Sequence, residues 1–140
     1  MPRGNDIARM RQRCATAEQR IMPRCAKAAA EAIASAIDAE FRTGRDIDGE
    51  RFKAPKDGHR PPMVRSGALR RSIHVSARAS LQAWRIRAGS STDYDQFLRD
   101  GTSKMDPRKF IPRPGEPMPR AWDLAVQGRI SRIVAQESRP

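Results

Sequence analysis

A catalytic reading of this chain needs a nucleophile beside a base, paired carboxylates, or metal ligands at workable spacing. The residues that could supply them stand apart. The two histidines are His59, in a Gly- and Pro-rich stretch, and His74, at an outward position of an alternating run, and no HxxxH or HExxH spacing joins them. Asp46, Asp48 and Glu50 alternate ahead of Arg51 in the manner of a calcium loop, but the Gly turn and the distal bidentate Glu are missing at the required offsets. Gly67, Gly101 and Gly115 are not grouped as a phosphate cradle. Cys14 and Cys25 would sit roughly 16 Å apart on one straight helix, beyond disulfide reach, so both thiols are expected as small buried hydrophobes. The expectation is no enzyme, no cofactor and no metal. With no CxxC pair and no long apolar span, the chain reads as soluble, made in a reducing cytoplasm and independent of membranes.

The charge balance is the other chemical fact. The chain carries 28 Lys+Arg against 16 Asp+Glu, a formal +12, which attracts nucleic acid or acidic protein surfaces. Most of the cations are Arg, whose planar fork suits carboxylate and phosphate alike. At 140 residues with 38% hydrophobic and 5% aromatic content, one domain with a modest core of Ala, Ile, Leu and Val is expected. So small a core often gains stability from neighbouring subunits.

The elements that must position these residues follow from hydrophobic period. From Asn5 to about Phe41 the chain is rich in Ala, Glu, Gln and Arg. Ile7, Met10, Cys14, Ala17 and Ile21 mark one helical face, and Cys25, Ala29, Ile33, Ile37 and Phe41 a second, stronger one. Pro23 between them predicts a kink, or a break with Pro23 opening a second helix. Gly44 is placed to end it. Residues 44–62 read as an extended polar loop or loose hairpin. Over 72–79 and 82–88 the period falls to two, with Ile73, Val75, Ala77, Trp84 and Ile86 on one side, predicting an antiparallel hairpin buried on one face. Trp122, Val126, Ile130 and Ile133 or Val134 mark a last helix from about Pro119 to Ala135. The predicted fold is α+β, a single domain overall. It has a helical region over 1–43 and a core over 44–140, with a sheet built around the hairpin at 72–88 and a C-terminal helix. Leu69, Ile73, Val75, Trp84 and Ile86 are expected in the core with Ile33, Ile37 and Trp122.

Three short segments stand out in order. Ser66, Gly67, Leu69, Ser72 and Ile73 lead into the first strand. Tyr94 and Phe97 precede Gly101 and Thr102. Phe110, Ile111 and Pro112 precede the last helix. On residues alone, Gly67 permits a tight turn that sends Leu69 and Ile73 inward. Tyr94, Phe97 and Leu98, at helical spacing, pin their segment inward, and Gly101 ends it. In this order the segments resemble the tail-completion and neck proteins of long-tailed bacteriophages, of the virion-morphogenesis type, over roughly residues 45–135. Asp100 stands where that group commonly has Glu, and Arg108-Lys109 replaces its Arg-Pro. The resemblance implies a structural virion protein, assembled in the host cytoplasm, that forms a sixfold ring at the head-proximal end of the tail. Its implied partners are further copies of itself, the tail tube or terminator protein, the head connector, and genomic DNA in the lumen. Other readings are a tail terminator or head-closure protein of the neck, or a small basic DNA-binding protein.

For such a ring, the expected contacts between subunits are the loop 44–62 and the proline-stiffened segment 108–114. Phe110 either docks on the next subunit or covers this chain's own core. The interface reading makes Phe110 and Ile111 the anchor, with Arg108, Lys109 and Arg113 pairing with Asp46, Asp48 and Glu50 of a neighbour.

Overall fold

The computed structural model describes residues 4–52, 67–103 and 107–139; His59 and Ser66 lie outside them. The fold is α+β: a long helix α1 (Gly4–Thr43), a short α2 (Ala68–Ser72), strands β1 (Ile73–Ala79) and β2 (Trp84–Ser90), a short α3 (Asp95–Asp100) and a last helix α4 (Arg120–Glu137).

Everything is arranged along α1, which runs unbroken through Pro23. The proline is tolerated because it faces solvent. There the carbonyl one turn back, which loses its helical donor, can be hydrated. All buried residues of α1 lie from Cys25 onward, among them Ala29, Ile33, Ile37 and Phe41. Cys25 is buried, which raises its thiol pKa despite the opposing charge of Arg24. Cys14 is exposed, contrary to the expectation for both thiols, because the first half of the helix carries no core on its face. The helix stops at Gly44 (φ 68°), where Arg45 N–H donates to Glu40 O at 3.1 Å. This is the left-handed glycine stop that satisfies the last carbonyls.

The helix α4 packs antiparallel to α1. Near its start, Trp122 Nε1 donates to Glu40 Oε1 at 2.7 Å; at its middle, Arg129 reaches Glu31 at 3.5 Å; at its end, Glu137 accepts from Arg20 at 2.8 Å and from Arg24. Glu40 is the one buried charged-type residue among the described residues. Burial first, and then the nearby Asp46, push its pKa from 4.5 to about 8 against the opposing effect of the Trp122 hydrogen bond. Its Oε2 has no hydrogen-bond partner among the described residues.

The β1–β2 hairpin lies on α1 too. In its register Ile73 faces Ser90, Val75 faces Ala88, Ala77 faces Ile86 and Ala79 faces Trp84, so these eight residues share the face turned to the core. The tip reaches the first half of α1, where Leu81 N–H donates to Glu18 Oε1 at 3.2 Å. Burial fades toward that tip. Ile73 is buried, Val75 and Ile86 are half-buried, and Trp84 is 42% exposed. Trp84 is therefore not a core residue. Alternation fixes its side of the sheet, but α1 has no large buried residue at that end of the hairpin to cover it.

Residues 44–52 form a tight turn closed by the Arg45–Arg51 bridge and by Phe52 N–H donating to Gly44 O at 2.8 Å. Phe52 is buried with Phe41 and Phe110 in the same cluster. No helix among the described residues is long and apolar enough to cross a membrane.

Candidate assembly interface

Residues 107–119 lead into α4 as irregular chain, with a bend at Phe110 and Ile111 and a turn at Pro114 and Gly115. The segment is held at one end by Arg108 N–H on Leu98 O (2.7 Å) and beside the 44–52 turn by Ile47 N–H on Lys109 O (3.0 Å). Between them Phe110 is 0% exposed and meets Phe41 edge-on at a ring separation of 6.0 Å, while Ile111 is also buried. Phe110 and Ile111 are thus anchors of their own domain and not exposed groups awaiting a neighbour. A chain with so few large apolar residues needs both aromatics to close its core.

The charged residues expected to cross to another copy find partners at home. Lys109 Nζ lies 3.7 Å from Asp48, and Arg113 Nε lies 3.3 Å from Asp100. Asp46 Oδ1 accepts the backbone N–H groups of Asp48 and Glu50, both at 2.9 Å, which builds the turn itself. The two segments do meet, but within one chain, where nearby partners on the same surface are always within reach. Glu50 is exposed, and Arg108 is half-buried.

Of the three segments that carry the resemblance, the first and third send residues into one core. Gly67 takes φ 74° and starts α2, and Leu69 and Ile73 enter the same cluster as Phe110 and Ile111. Ser72 Oγ and Ser90 Oγ, 2.7 Å apart, tie the first segment to the end of β2. Gly101 ends α3 with φ 75°, its N–H donating to Phe97 O at 2.9 Å. Tyr94 and Phe97 do not pin α3 inward: they are exposed, Phe97 by 57%, and only Leu98 is packed against the core. A helix of less than two turns turns one side in, and Leu98 takes it. Thr102 is exposed.

What the chain leaves open lies on the other side of this segment. The sheet has two strands, so the outer edge of β2 is unpaired among the described residues. Between that edge and residues 111–119 runs an open groove of about 630 Å³, with Trp84, Ile86, Ala88, Ile111, Met118 and Trp122 on its apolar side and the charged Arg87, Arg99, Arg113 and Glu116 also lining it. Trp84 and Met118 are its exposed apolar rims. An unpaired strand edge offers backbone donors and acceptors to an added extended segment, and the groove beside it accepts alternate side chains. No group of three potential metal ligands occurs among the described residues. Sequence reasoning missed this groove because it took Trp84 as core. The clue was the scarcity of apolar residues on α1 opposite the hairpin tip.

No family model, no curated protein and no solved structure matches the chain.

Proposed function

We propose that this chain is a structural ring subunit of a long-tailed phage neck, completing the tail at its head-proximal end and joining it to the head connector. The identity of the partners comes from the resemblance of the three ordered segments. The observation that carries the mechanical part is the groove at the free edge of β2, flanked by Trp84 and Met118. Identical copies meeting head-to-tail close into a ring when each fills the next one's unfinished side. Each copy inserts an extended segment beside β2 and covers Trp84. No step in this role calls for catalysis; what matters is that a rigid core holds the two surfaces at a fixed angle.

Sedimentation velocity over a concentration series tests the idea with two variants. Trp84→Ala removes the exposed rim of the groove, and Ile86→Arg places a charge on its floor next to the open edge. The expected result is a ring in the unaltered protein and folded monomers in both variants. A monomer at all concentrations in the unaltered protein, or rings that persist in both variants, overturns the proposed contact.

A further inference from the structure

The face of the hairpin turned away from α1 has a different composition. The register that puts the apolar residues inward puts His74, Ser76 and Arg78 of β1 outward, opposite Gly89, Arg87 and Arg85 of β2 respectively. Arg78, Arg85 and Arg87 are all exposed, and none makes an ion pair with a described residue. Arg78 and Arg85 are direct cross-strand partners, their Cβ atoms about 5 Å apart, a placement that destabilises a sheet unless an anion lies over it. Arg85 and Arg87 follow at about 7 Å along the same strand.

From this arrangement we infer that the outer face of the β1–β2 hairpin is a binding surface for the phosphate backbone of duplex nucleic acid, gripped without regard to sequence by Arg78, Arg85 and Arg87. The six outward positions hold no apolar side chain, and the imidazole of His74 is their one aromatic ring. Protein interfaces are organised around a buried apolar or aromatic centre, which this face lacks, so an acidic protein would find charge but no anchor. Single strands are held by stacking successive bases on a row of aromatic rings, and His74 stands alone here, at the far end of the hairpin from Arg78 and Arg85. A duplex, with one negative charge per about 1.7 Å of axis, requires only a rigid cluster of cations. The ladder of a two-stranded ribbon fixes the spacing of the three arginines relative to one another, and the arginine fork suits phosphate oxygens. Arg78 and Arg85 stand apart from the groove beside β2, whereas Arg87 also lines it, so a copy seated in that groove would share Arg87 with the duplex.

The local repulsion gives the test two independent readouts. Binding of a labelled mixed-sequence duplex is measured across a salt series for the unaltered protein, for a triple variant with Arg78→Thr, Arg85→Thr and Arg87→Thr, and for a charge-matched triple variant with Arg9→Gln, Arg11→Gln and Arg13→Gln on α1. The slope of log affinity against log salt should fall by about 0.9 per phosphate contact removed, nearly three in the hairpin variant and much less in the α1 variant. In the second readout, Arg78→Thr alone should raise the melting temperature of the free protein, and added duplex should stabilise the unaltered protein more than this variant. Equal losses in the two triple variants would mean diffuse attraction to net charge and would overturn the inference. So would absence of binding at low salt, or equally tight binding of poly-glutamate, which would assign the face to acidic protein.

Discussion

Glu40 is protonated in the fold at neutral pH, and this makes stability depend on pH in an unusual direction. The residue is 9% exposed, and its carboxyl accepts the Trp122 indole N–H and has a pKa of about 8 against 4.5 in the unfolded chain. A folded pKa above the unfolded one means that the fold binds the proton more tightly. The contribution is therefore fully present below pH 4.5 and is lost as pH rises through 8. At 1.36 kcal/mol per pKa unit, the span from 4.5 to about 8 is worth roughly 5 kcal/mol in all. Of this, about 3 to 4 kcal/mol is lost between pH 5 and pH 8. Glu40→Gln keeps an acceptor for Trp122 but cannot ionise. Urea unfolding of both proteins at pH 5 and pH 8 isolates the effect, since every other carboxyl is common to the pair. The variant should gain on the unaltered protein by that amount, or about 10 °C in Tm for a chain of this size. Trp122→Phe removes the bond that favours the charged carboxylate and should move the transition to higher pH. A gap between Glu40→Gln and the unaltered protein that stays constant from pH 5 to pH 8 would refute the reasoning.

Two further expectations concern stability alone. Phe110→Ala, at a fully buried position against Phe41, should cost about 3 to 5 kcal/mol in chemical denaturation; a loss below about 1 kcal/mol would place the ring outside the core. Pro23→Ala, at an exposed interior position of α1, should gain up to about 3 kcal/mol and raise the melting temperature.

The helices and the hairpin were legible because their periods were long enough to be unambiguous. Steps of four from Cys25 to Phe41 and the alternation from Ile73 to Ile86 each fix a face. What a period does not fix is depth. Trp84 lies on the correct side of its strand but beyond the well-packed half of α1, so it is exposed where Ile73, at the other end of the hairpin, is buried. For Phe110 the sequence leaves docking and core cover both open, and the fold takes the second, because a core this poor in large side chains draws it in. Glu40 carries a signal in the sequence. It falls on the stripe of Ile33, Ile37 and Phe41, and a buried Trp122 needs an acceptor. The groove beside β2 could not be read from one dimension, because it is bounded by segments that are distant in sequence and meet only through the packing of α4 on α1.

The unbroken α1 also has a mechanical consequence. From Gly4 to Pro23 it extends for about 28 Å as a stiff lever with no buried residue along it, and the hairpin tip is hitched to that lever through Leu81 and Glu18. A bend of only about 10° at the proline would swing the Gly4 end by about 5 Å. It would carry the tip in the same direction while leaving the packed half of the helix, Cys25 to Phe41, where it stands.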